Sequence, residues 1–392
     1  MELKRICDTI TCWENTFTQE LRQTAQTEVI VPDTCPDVVQ LYENSAMVFI
    51  DSRRAMDGKI EVAGSVRCEI LYQAAEEELV RLETTIGFTA VMEDDDIRAD
   101  DTVLVSAEPD RPDIRIINSR KLAVNAGVLL RAGAYRETTN EICKDVDIPE
   151  GYGIRRLVTA NRVETVEAVK EKTFTITDRF EIERAKSGAE EILRSNVNVT
   201  EQDHKLIGRK IILKGVITVD SMYRSFEGQV ENASFELPFS QIMETEGNED
   251  ARCDLSFLMR AFLLQPEQDS YYEGRNLELK AEIAVQAVCR STEEIEVLED
   301  IYSVSHPMQT EYEQLMIGET RINTLNRAAI NENEKKDKSG MPSVVMRMTE
   351  AGEALWDLAR QYDTTVEAIA SANSLSGART LKRGMLLVPV MG

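Results

Sequence analysis

A stretch of about thirty-five residues occurs twice, and any fold for this chain of 392 residues has to accommodate both copies. The first runs from Lys59-Ile60-Glu61-Val62-Ala63-Gly64 to Leu71-Tyr72, the second from Lys210-Ile211-Ile212-Leu213-Lys214-Gly215 to Met222-Tyr223. Lys59 and Lys210 stand 151 residues apart, and the same spacing carries Phe88 onto Phe239 and Val91-Met92-Glu93 onto Ile242-Met243-Glu244. Ungapped agreement over that length points to tandem duplication of one domain. In the first copy Ile60, Val62, Val66, Cys68, Ile70 and Tyr72 alternate with Glu61, Ala63, Ser65, Arg67, Glu69 and Leu71. A period of two with one apolar face is the pattern of a strand in an antiparallel sheet buried on one side. Gly64 and Gly215 hold the same place in both copies, which predicts a bulge or a close approach of neighbouring chain.

The rest of each copy reads as more of the same. Val80, Leu82, Thr84 and Ile86 follow a polar turn and complete a long hairpin. Further strands are predicted at Thr102–Ser106, Ile114–Ile117 and Leu122–Leu130, and in the second copy at Leu277–Val285. Arg120-Lys121-Leu122 returns 155 residues on as Arg275-Asn276-Leu277, so the second copy gains about four residues, which belong in a loop. The prolines of Val31-Pro32-Asp33-Thr34-Cys35-Pro36-Asp37 enforce extended chain and a turn, and Pro36 suits the first turn of a short helix over Val38, Val39 and Leu41. Ala189–Leu193 takes the matching register without the prolines. Residues 1–27 combine a helical stripe (Ile6, Ile10, Trp13, Phe17, Leu21) with strand-favouring threonines, so both readings stand. Between the copies, Val163, Val166 and Val169 admit a helix while Thr173–Thr177 prefers a strand. Asn331–Gly340 is charged, lacks aromatics and reads as a flexible linker.

The resulting division is an N-terminal segment 1–27, repeat 28–150, connector 151–178, repeat 179–318, charged linker 319–342 and a terminal module 343–392. The predicted class is mainly β: two related antiparallel, sandwich-like domains followed by a small α+β module.

Charge and composition exclude several functions. A net charge of −25 with no segregated basic patch disfavours nucleic acid and anionic lipid as partners. No apolar run reaches the roughly 20 residues that span a bilayer, so no direct membrane insertion is expected. The start, Met1-Glu2-Leu3-Lys4-Arg5, leads into no apolar core segment, so a signal peptide is not expected and the chain should begin in the cytosol. Seven cysteines without a Cys-x-x-Cys pair, and two histidines, predict neither a zinc site nor a disulfide framework. No phosphate-binding glycine loop or nucleophile–base constellation is present, so no enzyme activity, metal or cofactor is predicted.

From Ser343 the periodicity changes. Val344-Val345-Met346 begins a strand, and Leu355, Trp356, Leu358, Ala359 and Tyr362 form one apolar helical face. Thr364 with Glu367 has capping-box spacing and opens a second helix over Val366, Ile369 and Ala370. Met385–Pro389 closes a strand–helix–helix–strand order. This stretch resembles the LysM family, whose Gly-Asp-Thr-Leu-Trp stands here as Gly352-Glu353-Ala354-Leu355-Trp356. The further pattern is Ala359, Tyr362, Thr364-Thr365-Val366-Glu367, Ile369 and Asn373. The resemblance implies binding of N-acetylglucosamine polymers through the loops Gly352–Leu355 and Ser374–Arg379. Glu353 replaces an aspartate, Ala354 a threonine and Arg383 a proline of the family pattern. Trp356, Tyr362 and Ile369 are the expected core. Gly352, Glu353, Ala354, Leu355, Asp357, Arg360, Asn373, Ser374, Arg379 and Arg383 are the candidate binding surface.

The opening Glu28-Val29-Ile30-Val31-Pro32-Asp33 and the frame ending in Pro238-Phe239-Ser240 and Met243-Glu244 extend the likeness. The whole chain resembles the SPOCS-plus-LysM family of spore coat morphogenetic proteins in endospore formers. That resemblance implies a noncatalytic scaffold made in the mother cell and recruited to the forespore surface. Its LysM module would dock the ATPase of the coat's basement layer. A peptidoglycan-binding role in cell wall or cortex is the alternative.

Overall fold

The computed structural model describes residues 1–75, 78–246, 248, 250–267, 274–375 and 380–390. The first repeat follows β1 (Arg5–Ile30) with β2 (Gln40–Met56), β3 (Lys59–Gln73), β4 (Leu79–Glu93), β5 (Thr102–Pro109), β6 (Asp113–Asn118) and β7 (Lys121–Val146). The second follows β8 (Ile154–Glu181) with β9 (Ala189–Ile207), β10 (Lys210–Ser225), β11 (Val230–Glu244), β12 (Arg252–Pro266) and β13 (Asn276–Ser303). A hairpin of β14 (Met308–Ile317) and β15 (Thr320–Ile330) precedes β16 (Val344–Thr349), α1 (Leu355–Gln361), α2 (Val366–Ala372) and β17 (Gly384–Pro389). Strand accounts for 72% and helix for 4%, so the chain is mainly β with one small α+β module.

Each duplicated strand is the centre of its own three-stranded antiparallel sheet, β2-β3-β4 and β11-β10-β9. The two copies share irregularities as well as strands. Register shifts leave Tyr42 and Asp51 as extra residues on β2, and Leu193 and Gln202 on β9, each pair 151 residues apart. Gly64 faces Phe88 and Gly215 faces Phe239 across their hairpins. A Cβ on Gly64 would stand 2.4 Å from the Phe49 carbonyl oxygen and 2.9 Å from the Phe88 ring. On Gly215 it would stand 2.5 Å from the Phe239 ring and 2.9 Å from the Thr200 oxygen. The glycines therefore serve both expected purposes, a bulge beside them and an aromatic ring over them.

A tyrosine closes each copy. Tyr72 and Tyr223 are fully buried, and their hydroxyls donate to the carbonyls of Pro36 (2.9 Å) and Ser187 (3.1 Å). Both acceptors lie 36 residues earlier, so the tether persists although the second copy lacks the prolines. Burial pushes both phenols up to about 12.

The chain divides into two compact units interleaved in sequence: Met1–Cys12, Thr138–Thr165 and Thr292–Gly392 in one, Trp13–Glu137 and Val166–Ser291 in the other. The unit holding Trp13–Glu137 and Val166–Ser291 contains both repeat sheets and their two large cores, one around Ile60, Val66, Tyr72 and Leu130, the other around Ile211, Ile217, Tyr223 and Leu279. Within it the copies meet across polar contacts. The buried Glu69 carboxylate accepts from the Ser195 amide (3.0 Å) and hydroxyl (3.2 Å), from Ser45 Oγ (3.2 Å) and from Arg81 (3.1 Å). With all its lone pairs addressed, the buried charge is tolerated. Glu43 pairs with Arg194, its own counterpart 151 residues on, so the copies meet about a local pseudo-twofold axis.

In the unit holding the termini, Ile142 of β7, Val163 of β8 and Val297 of β13 pack on Ile317 and Ile322 of the β14–β15 hairpin. Leu3 and Ile154 join Leu298, Leu325 and Ile330 in a second cluster. The Met1 ammonium donates to the Ile330 carbonyl at 2.8 Å, and the Leu3 amide to Ala328 at 2.9 Å.

Several expectations are corrected. Of the two readings that stood open for residues 1–27 the strand one holds: β1 starts at Arg5 and pairs with β8, Trp13 opposite Val166. The connector 151–178 is mostly β8 itself, its β-branched residues outweighing a helical spacing of valines. The expected helix over Val38, Val39 and Leu41 does not form: the Val38 and Val39 amides donate to the carbonyls of Ser119 and Gln73, both at 2.9 Å, and from Gln40 the chain enters β2, as the matching Ala189–Leu193 enters β9. Within the predicted linker 319–342, Thr320–Ile330 is β15. Cys253 and Cys289 form a disulfide between directly opposed positions of β12 and β13. Their separation of 36 residues carries no motif; registry alone brings them together.

Candidate functional site

The LysM-like module is built on a core of Leu355, Leu358, Ala359, Ile369, Leu381, Leu386 and Val388, and that core also takes in Tyr302 from β13. Tyr302 donates to the Thr364 carbonyl at 2.8 Å and meets Trp356 edge-on, ring centroids 4.9 Å apart. Burial drives its phenol far above the usual range. Two residues earlier on the same strand sits Asp300, also buried. Its carboxylate accepts from the Trp356 indole (2.7 Å), from Arg360 Nη1 (2.9 and 2.8 Å) and from the Tyr312 hydroxyl (2.5 Å). Trp356 and Arg360 lie one helical turn apart, so a single face of α1 presents both to one carboxylate.

The charged run before the module adds a second set of contacts. Lys336 donates to the Ser303 carbonyl (2.8 Å) and pairs with Asp363, and Lys338 donates to the Asp363 carbonyl (2.9 Å). The Lys336 amide reaches Ser305 and the Asn331 amide Pro307, both at 2.9 Å. Residues 331–338 thus lie tied between β13 and the α1–α2 turn, which corrects their reading as a flexible linker. Low aromatic content marks a segment without a core of its own, but its lysines find carboxylate and carbonyl partners on neighbouring chain.

The candidate surface residues separate into distinct groups. Leu355 is core, 2% exposed. Arg360 is engaged by Asp300, and Glu353 pairs with Arg347 (2.8 Å) while accepting the Glu350 amide (3.0 Å). Ala354 is the N-cap of α1 and offers no side-chain cap. Asn373 clamps α2 to β17, donating to Ile369 (2.8 Å) and Leu387 (2.6 Å) and accepting the Leu387 amide (2.8 Å). Gly352, Asp357, Ser374 and Arg383 are exposed. Arg379 lies outside the described residues. The Gly352 amide donates to Leu381 (2.9 Å), the Leu381 amide to Glu353 (2.8 Å), and Ala354 bridges Thr380. The loop before α1 and the chain after α2 are therefore zipped side by side. Tyr362 and Ile369 pack in the module, Ile369 at its centre.

The α2 cap differs from the predicted box: Thr365 Oγ1 accepts the Ala368 amide (3.1 Å), one residue later than Thr364. Asp363 takes a positive φ of 49° and the Thr364 amide turns back to Ala359 (2.9 Å), which delays the helix start. Asp300, Tyr302 and Lys336, central to this arrangement, carried no sequence signal, since each depends on a partner tens of residues away. Among the described residues no group of three or more potential ligands could hold a metal ion, and no helix is long and apolar enough to cross a membrane.

Comparison with known families finds matches in three segments of the chain. The SPOCS domain of SipL matches residues 37–117 and again 189–260, and the LysM domain matches 350–388. No curated protein and no solved structure matches the chain. The first SPOCS match covers the β2-β3-β4 sheet and the second the β11-β10-β9 sheet, so the 151-residue repeat is a repeat of this domain. The chain has the SipL-like layout, two SPOCS domains followed by a C-terminal LysM domain.

Proposed function

We propose that this chain is a noncatalytic scaffold of endospore coat assembly whose LysM domain docks a protein of the coat's basement layer, its morphogenetic ATPase. The observation that carries the proposal is the joining of two SPOCS domains and a LysM domain in one chain, which fits a sporulation coat protein. SPOCS and LysM are binding-type domains, in keeping with a role that needs no catalysis. The use of Trp356 supports a protein target: its indole N–H is committed to Asp300 and its ring to Tyr302, leaving a poor platform for a sugar. The site of action would be the mother-cell cytoplasm at the forespore surface.

Glycan binding is the second reading, favoured by the LysM match and by the zipped pair of loops at Gly352–Ala354 and Thr380–Leu381. The two separate in a direct comparison. The full chain is titrated against the purified basement-layer ATPase and sedimented with insoluble peptidoglycan. Saturable binding to the ATPase without co-sedimentation is expected. Saturable binding to peptidoglycan, competed by N-acetylglucosamine oligomers, with no binding to the ATPase, would sink the scaffold reading.

A further inference from the structure

The two-stranded β16–β17 sheet departs from the usual arrangement of a sheet with one solvated face. Its register pairs Val344 with Pro389, Met346 with Leu387 and Met348 with Met385, and these six share one face. The opposite face, with Leu386 and Val388, packs on the helices. A two-stranded sheet with one buried face should carry polar residues on the other. Here Met346, Met348 and Met385 are 64%, 66% and 67% exposed, with Val344 and Leu387 beside them. No charged residue interrupts the strip.

Scattered exposed apolar residues need no explanation, but a contiguous, uniformly apolar strip does. Methionine makes such a surface adaptable, because its unbranched thioether chain conforms to varied partners. The α1 side of the domain is already occupied by Asp300, Tyr302 and Lys336 of the same chain, which leaves the strip on a free side.

Size and charge select the occupant. Two six-residue strands give a face about 20 Å long and 10 Å wide, or roughly 200 Å². A symmetric pair of such faces would bury about 400 Å² in total, well below the roughly 1,200 Å² of stable interfaces. The face therefore supports only a weak, transient contact, which three to four turns of a peptide helix match in length, whereas a second copy would bring a further net charge of −25 against the first. Lys382 and Arg383, both exposed, immediately precede β17 and, against the single exposed carboxylate Glu350 after β16, leave the Met348–Met385 end net basic in a chain whose net charge is −25. That end favours carboxylates on the incoming segment.

We infer that the outer face of the two-stranded β16–β17 sheet is the docking surface of the LysM domain, and that it takes an amphipathic helical segment of another protein with acidic residues at one end of its apolar side. The inference rests on the protein-docking reading above and locates it.

The test uses the full chain with 13C-methyl methionine, resonances assigned by substitution, and two synthetic amphipathic peptides of equal hydrophobicity, one ending in glutamates and one in lysines. The Met346, Met348 and Met385 methyls should shift and saturate with the acidic peptide, with affinity three- to tenfold above the basic one, the worth of one or two surface ion pairs. Met346→Lys with Met385→Lys should abolish the response, whereas Met341→Lys, outside the strip, should not. Absence of shifts, equal response to both peptides, or shifts that depend on protein concentration without peptide would overturn the inference, the last by showing a second copy on the strip. The doubly substituted chain is also titrated with the coat ATPase. Undiminished binding there overturns the surface while leaving the scaffold role intact. If the unsubstituted chain fails to bind the ATPase, the proposed function falls and the peptide titration alone judges the surface.

Discussion

Asp300 joins its strand to the LysM domain through Trp356 and Arg360, and to β14 through Tyr312. Hydrogen bonds to a charged group are worth about 1.5–3 kcal/mol each, so removing the carboxylate should free the segment that the domain holds down. Asp300→Ala is expected to speed tryptic cleavage at Lys335, Lys336 and Lys338 by about tenfold or more. Asp300→Asn, which keeps an acceptor for the indole, should fall between. A time course unchanged by either substitution would show that Asp300 does not hold the segment. Tyr72 and Tyr223 give a pH prediction. Their folded-state values near 12 lie above the ordinary 10, so the native protein keeps protons that the unfolded chain gives up. Stability from this source is intact below pH 10 and falls between pH 10 and about 12. Urea unfolding followed across that window should show the decline, and the double change Tyr72→Phe and Tyr223→Phe should make it shallower, the remainder coming from other buried phenols such as Tyr302 and Tyr312.

Between strands, the paired glycines make a sharper comparison. Gly64→Ala and Gly215→Ala should each destabilise by about 1–3 kcal/mol in denaturant unfolding, because the added methyl has no room. The remedies differ. The nearest atom to Gly215 belongs to the Phe239 ring, so Phe239→Leu should recover part of the loss. The nearest atom to Gly64 is the Phe49 backbone carbonyl, so Phe88→Leu should recover little. The importance of these glycines was readable from their equivalent positions in a period-two pattern, as were the hairpins and the LysM helices, because such features repeat within a few residues. The long strands β1 and β8 were not, since threonine-rich chain with apolar residues at three- and four-residue intervals satisfies two periodicities until a neighbour such as Val166 opposite Trp13 decides. Of the candidate surface, Leu355 and Asn373 became structural because their roles are fixed by β17 and the core, which family spacing alone does not reveal.

Taken whole, the LysM domain is not self-contained, for Tyr302 of β13 is part of its core. A fragment of residues 343–392 should show amide protection in α1 at least tenfold below that in the full chain, a loss of about 1.4 kcal/mol. Equal protection would show that the domain completes its core alone. The segment tied down by Lys336 and Lys338 has a mechanical consequence as well. A loose tether absorbs pull by extending and lets its cargo swivel. Here a partner tugging on the domain first loads the Asp300 and Lys336 contacts, so displacement passes into strand β13 with little slack. A molecule assembled this way would transmit tension and fix the bearing of whatever it holds, as a bracket does and a leash does not.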